Sequence, residues 1–217
     1  LIEKLGFKLR RREEQPANIS QPIVRKVLGA FEEQKALGRK KPTPTLEMSV
    51  YEEILTICGN MARVMELSPR AFAEMREEDL RFHFLVQLNG VFDGQATGET
   101  FNLNGKTDIL IRHEGENLFI AECKFWTGEK DYQEAINQLI GYTSWHDTKT
   151  ALIIFNRNKD FSSVLKKLHS ETKKKKNCIE TLTYESNTGF RFRFKQEKDP
   201  SRTFITTVMA FNVPSTT

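Results

Sequence analysis

Two apolar runs, Ile109-Leu110-Ile111 and Phe119-Ile120-Ala121, flank the turn-forming stretch His113-Glu114-Gly115-Glu116. They constrain the fold more than any other feature of the chain. Short continuous apolar runs bounded by turn residues read as strands buried on both faces. Each run meets charge at the end away from the turn: Asp108 precedes the first, and Glu122-Cys123-Lys124 follows the second. If the hairpin turns about Gly115, paired residue numbers sum to about 230 and Asp108 stands opposite Glu122, with β-carbons about 4.5–5.5 Å apart. Two carboxylates at that distance repel, so a hairpin gains nothing from them. A divalent cation between them removes the penalty, and carboxylates with water are the ligands expected for Mg²⁺ or Mn²⁺.

Strand side chains alternate with period two, so Leu118, Ile120, Glu122 and Lys124 are expected on one face. Lys124 then reaches a water or a phosphate beside the carboxylates. The competing reading is a solvated hairpin in which Lys124 only pairs with Glu122 or Asp108. Charges at the ends of buried strands are costly unless they serve a purpose, which weighs against it.

The surrounding elements follow from periodicity and punctuation. Pro22 to Gly38 reads as a helix, between a basic cluster at Lys8 to Arg12 and the linker Arg39-Lys40-Lys41-Pro42-Thr43-Pro44. Tyr51, Ile54, Leu55, Cys58, Met61, Ala62 and Met65 recur at helical spacing between Leu46 and Glu66. Ser68-Pro69 opens a further helix or pair of helices running to about Asn89, with Leu80, Phe84, Leu88 and Val91 as the stripe that covers a sheet. Phe92 to Phe101 is a first strand region, and Asn104-Gly105 a hairpin turn.

After Lys124, Tyr132 to Trp145 is a helix and Ala151 to Phe155 a buried parallel strand, so the helix is a crossover between parallel strands. Phe161 to Ser170 is helical and Lys173-Lys174-Lys175-Lys176 a loop. Ile179–Tyr184, Gly189–Phe194 and Phe204–Asn212 are strands, with Phe190, Phe192 and Phe194 alternating against Arg191 and Arg193.

Asp108 with Glu122-Cys123-Lys124 resembles the PD-(D/E)xK nuclease signature in its D…ExK form, with Thr107 where Pro is common. Gln138-Leu139-Ile140-Gly141-Tyr142 is similar to the Q-hydrophobic-x-x-Y motif of RecB-type members, and its two polar residues share a helix face. The order helix, three strands, helix, strand also matches. The resemblance covers about residues 72–156. It implies an α/β fold with a restriction-endonuclease-like core (α-β-β-β-α-β, a mixed central sheet flanked by helices). Residues 1–70 would be a helical N-terminal extension, and residues 71–217 the nuclease domain with a C-terminal β-hairpin extension.

The same resemblance implies a Mg²⁺- or Mn²⁺-dependent endonuclease acting on DNA. Asp108 and Glu122 would ligate the metal with the backbone carbonyl of Cys123, and Lys124 would orient the attacking water. Gln138 and Tyr142 would support the site. An acid from the first core helix often joins such sites; Glu77 and Glu78 are the candidates, Glu78 favoured, and Glu99 stands outside them. Acids at a helix start also complement the helix dipole, which is the plainer reading of both.

Nucleic-acid contacts are expected at Trp126, stacking on a base, at Arg157 beyond a strand end, and at Lys173 and Lys174 as a phosphate-tracking ridge. The plainer alternatives are a sheet-capping aromatic and a solvated loop.

A formal charge of +4 permits nucleic-acid binding without requiring it. There is no apolar run of bilayer-spanning length and no signal-peptide pattern, so a cytoplasmic protein without a membrane partner is expected. Cys58, Cys123 and Cys178 lack zinc-ligand spacing and suit a reducing compartment. The chain begins with Leu1, as a fragment or processed form would. Effector domains of this class serve bacterial restriction or anti-phage defence, attached to a sensor or ATPase module outside the chain, and often as homodimers. The alternatives are a non-catalytic nucleic-acid- or protein-binding module on the same fold, and an interaction domain with no nucleic-acid role.

Overall fold

The computed structural model describes residues 46–213, apart from 93–95, 99, 103–104, 114–115, 145 and 147–148. The expectations for the first forty-five residues, for Glu99 and for the tips of both hairpins lie outside the described residues.

Helix α1 (Met48–Leu67) forms where the apolar spacing predicts it, and it buries Tyr51, Ile54, Leu55, Cys58, Ala62 and Met65. The expected next helix is a pair. Pro69 opens the single turn α2 (Pro69–Phe72), and α3 (Glu77–Val91) starts where the Asp79 carboxylate accepts the backbone N–H of Arg76 at 3.1 Å. Such a contact satisfies one of the unpaired donors at a helix start.

The first strand region is split into β1 (Ala96–Thr97) and β2 (Thr100–Asn102). Among the described residues strand β2 pairs only with β3 (Gly105–Thr107), and Gly105 stands opposite Asn102 as part of the ladder. Strands β4 (Ile109–His113) and β5 (Glu116–Phe125) form the expected hairpin. Helix α4 (Glu129–Tyr142) then leads to β6 (Lys149–Asn156), which is parallel to β5. Gly128, with φ 144°, precedes α4 in a backbone conformation that other residues rarely adopt. After α5 (Phe161–Lys173) come β7 (Cys178–Leu182), β8 (Gly189–Lys195) and β9 (Thr203–Asn212). Lys173 closes α5 and Lys174 caps it, so half of the expected lysine loop is helix and cap.

The result is a mixed α/β fold: a seven-stranded sheet in the order β1-β4-β5-β6-β9-β8-β7, flanked by helices on both faces. No helix among the described residues is long and apolar enough to cross a membrane. Helices α1 and α3 cover one face, where Tyr51, Phe84 and Leu88 join Phe119, Cys123 and Ile153 in a single core. Part of the expected N-terminal extension thus shares its core with the sheet. Helices α4 and α5 cover the other face over Ile120, Leu152, Phe192 and Val208.

Two features differ from expectation. Strand β9 is no appendage: it lies beside β6 in parallel, in register from Lys149 opposite Ile205 to Asn156 opposite Asn212. Its near-continuous burial is that of a central strand, which its three threonines disguise in sequence. The face of β8 bearing Arg191 is also no free basic groove. Arg191 is buried, holds Glu52 of α1 through both terminal nitrogens at 2.5 and 3.0 Å, and donates to Thr207. Its guanidinium lies over the rings of Tyr184 and Tyr51. Arg193 pairs with Glu180 on the neighbouring strand β7.

Candidate functional site

The β4–β5 register matches the sequence reading where it matters. Ile109 faces Ala121, Leu110 faces Ile120 and Ile111 faces Phe119. Beyond Ile111 the register shifts, with Arg112 opposite Asn117, which leaves Leu118 as the extra residue of a bulge. The bulge turns Leu118 to the α1/α3 face beside Phe119, while Ile120 packs on the α4/α5 face. Leu118 therefore does not share a face with Ile120, Glu122 and Lys124 as period two alone predicts. The site end of the hairpin lies past the bulge and keeps its register.

Asp108 sits in the bend just before β4, and both of its oxygens are engaged. Oδ1 accepts from the Arg81 guanidinium of α3 at 2.5 Å, and Oδ2 accepts the backbone N–H of Cys123 at 2.8 Å. Both partners of the ion pair are buried. Gly98 allows the close packing around it. A β-carbon there would meet Leu85 Cδ1 at 2.6 Å, the Asp108 carbonyl oxygen at 3.4 Å and Arg81 Nε at 3.9 Å.

Glu122, only 3% exposed, is matched far less well. Oε1 lies 3.4 Å from Lys124 Nζ, and Oε2 is buried with no hydrogen-bond partner. Burial and the neighbouring Asp108 charge push its carboxyl up to about 8, against the partial relief that Lys124 gives.

Lys124 also donates to Glu77 Oε1 at 2.9 Å, and Glu77 Oε2 accepts the backbone N–H of Phe125 at 2.9 Å. Burial works against the Lys124 charge, but the Glu77 hydrogen bond and the surrounding carboxylates outweigh it, so its pKa is held above the ordinary value. The helix acid at this site is therefore Glu77 and not Glu78, which is exposed. The helix phase explains the correction. Glu77 is four residues before Arg81 and three before Leu80, on the inward stripe, whereas Glu78 precedes Phe82 and Val86, both exposed. That stripe was legible in sequence; the partnership of Arg81 with Asp108 carried no comparable signal.

The other expected residues divide. Tyr142 is half-buried, and desolvation with the charges of Glu122 and Asp108 raises its pKa, so it belongs to this electrostatic neighbourhood. Gln138 is exposed on the same helix. The Cys123 side chain is buried in the core on the α1/α3 face, and burial raises its thiol well above the ordinary value.

Trp126 is buried against Tyr132, with ring centroids 5.7 Å apart, and is not free to stack on a base. Its apolar surface fills the space between β5 and α4. Arg157 is likewise committed: it donates to the carbonyls of Met75 at 2.5 Å and Phe72 at 3.5 Å, and its guanidinium lies 4.1 Å from the centre of the Phe125 ring. It fastens the end of β6 to the α2–α3 turn. Lys174 pairs with Glu171, and Lys175 with Asn137 and the carbonyl of Gln133. Lys173 is exposed at the end of α5, which packs on α4, β7 and β9.

Among the described residues no group of three His, Cys, Asp or Glu side chains is placed to share a metal ion. Mg²⁺, however, is commonly held by one or two carboxylates with water and substrate phosphate completing its shell. Glu122 fits that pattern, because its Oε2 is a buried oxygen in need of a cation or a proton, whereas Asp108 would share oxygens that Arg81 and the Cys123 N–H already engage. Compared with family models, curated proteins and solved structures, the chain matches none of them.

Proposed function

We propose that this chain is a metal-dependent nuclease that hydrolyses DNA phosphodiester bonds, built on a restriction-endonuclease-like core. The observation that carries the reading is the unpartnered, buried Oε2 of Glu122 beside Asp108 and Lys124. A folded protein rarely leaves a carboxylate oxygen so placed without a purpose. Asp108 and Glu122 would hold Mg²⁺ or Mn²⁺, which when bound would lower the pKa of a water and neutralise phosphate charge.

The chain's own residues have separate tasks. Glu77 fixes the Lys124 ammonium at the strand end, where it holds a phosphate oxygen and orients the attacking water. The Cys123 backbone N–H and Arg81 fix the rotamer of Asp108. Tyr142 positions a polar group at the edge of the cluster. A role as an effector in bacterial restriction or anti-phage defence, coupled to a sensor or ATPase module and acting as a dimer, belongs to the same proposal.

The test is cleavage of plasmid and single-stranded DNA with Mg²⁺ or Mn²⁺ by the wild type and by Lys124→Ala. Equal cutting by both, or none by either with any metal, overturns the reading. A second reading, a non-catalytic binding module on this fold, is favoured by the Arg81–Asp108 ion pair, which already neutralises one of the two carboxylates. DNA binding that is independent of metal, without cleavage, would select it.

A further inference from the structure

Arg81 is a buried cation that no sequence motif announces, and it stands where an added cation would find competition. Its guanidinium bonds Asp108 Oδ1, while the other Asp108 oxygen is taken by the Cys123 N–H. The arrangement is built in. Leu80, Phe84 and Leu88 anchor α3 in the core, and the absent side chain at Gly98 lets the chain close over Leu85 and the ion pair. Glu122 has Lys124 at 3.4 Å from Oε1 and no hydrogen-bond partner at Oε2.

With every group ionised, Asp108, Glu122 and Glu77 oppose Arg81 and Lys124, leaving one net negative charge around the cluster. Without Arg81 there would be two. In a low-dielectric setting that difference is felt strongly by a divalent ion.

We propose that Arg81 sets the cation affinity of the Asp108/Glu122 pair, acting as a resident positive charge that a divalent ion must work against. The inference rests on the reading of that pair as a cation site. Arg81 is a positioning residue: it acts through Asp108. It keeps the carboxylate ordered when no metal is bound and holds the affinity for Mg²⁺ and Mn²⁺ low.

The experiment is calorimetric titration of Mn²⁺ into the wild type, Arg81→Gln and Arg81→Lys without nucleic acid. A parallel ¹⁵N NMR titration of the wild-type arginine side chains with Mg²⁺ needs no variant to fold. Arg81→Gln should bind Mn²⁺ at least about tenfold more tightly, in keeping with the loss of one buried charge. Arg81→Lys should stay close to the wild type. The Arg81 guanidinium resonance should shift as Mg²⁺ is added.

Binding by Arg81→Gln alone, with none by the wild type, would also support the inference. Wild-type binding with equal or weaker affinity in Arg81→Gln, or an unmoved guanidinium resonance at saturating Mg²⁺, overturns it and leaves the metal site standing. No binding by any of the three overturns the inference together with the metal site.

Discussion

Lys124 and Glu77 join the end of β5 to the first turn of α3 at 2.9 Å, and the second Glu77 oxygen accepts from the Phe125 backbone one residue further along. The pair does two things at once. It determines where the Lys124 ammonium points, and it ties the helix that carries Arg81 to the strand that carries Glu122. Glu77→Gln keeps the shape and removes the charge. Under the proposed chemistry it should lower DNA cleavage about 10–100-fold, the usual penalty for losing a residue that orients a metal-site group. Glu78→Gln, on the exposed side of the same turn, should stay within about twofold in the same assay, since changes away from packed features have small effects. Equal losses in the two variants would contradict the assignment.

Glu122 makes stability depend on pH. Its folded-state pKa is pushed up to about 8 from an ordinary 4.5, so the folded chain retains a proton that the unfolded chain releases. Stability from this group is therefore complete below about pH 4.5 and is lost as pH rises towards and through 8. Over that window unfolding free energy should fall by up to about 1.4 kcal/mol per pH unit from this group. Glu122→Gln should flatten the profile and be the more stable protein at pH 8. Urea unfolding at half-unit pH steps without divalent ions measures both; an identical slope in the variant would sink the argument.

How much of this was legible in sequence depends on the reach of each signal. The Asp108–Glu122 hairpin was legible because period two and one turn fix a register over a few residues. Tyr142 was singled out by the Q-hydrophobic-x-x-Y resemblance and not by strand register. Glu77 was within reach, because it shares the inward stripe with Leu80 and Phe84. Arg81 was not: its partner is twenty-seven residues away and its pairing depends on how α3 packs across the sheet. The packing of Trp126 on Tyr132 and of Arg157 on the α2–α3 turn was not legible, because an aromatic or a cation beside a site reads the same in sequence whether it faces a ligand or its own fold. The central place of β9 was hidden for a related reason, since its parallel pairing with β6 joins segments about fifty-six residues apart.

Helix α1 is fastened to the sheet through Tyr51, whose hydroxyl donates to the Thr150 carbonyl and reaches Thr207 Oγ1, both at 2.7 Å. Burial pushes this phenol far above its ordinary range. Tyr51→Phe keeps the ring and removes the hydroxyl from the Thr150 carbonyl and from Thr207 Oγ1, which Arg191 still reaches, a loss of about 1–3 kcal/mol. Because the Tyr51 hydroxyl bonds Thr150 and Thr207 and its ring lies under Arg191 of β8, Mn²⁺ affinity at Asp108 and Glu122 should not change. A lower thermal midpoint with unchanged Mn²⁺ titration is the expected pair of results; a changed affinity would mean that this network reaches the site.

Arg157 separates a structural cation from a nucleic-acid contact. Its Nη2 donates to the Phe72 and Met75 carbonyls, its Nε is buried without a hydrogen-bond partner, and its planar head covers Phe125 at the strand end that also receives Glu77. Arg157→Ala should therefore lower stability by about 1–3 kcal/mol, through unmet carbonyls and an uncovered ring. A phosphate contact would behave otherwise, because each one lost reduces the salt dependence of DNA affinity by about one unit of slope. DNA affinity measured across a salt series should give the same slope for Arg157→Ala and wild type, alongside a lower unfolding midpoint for the variant. A shallower slope with unchanged stability would return Arg157 to the nucleic-acid surface.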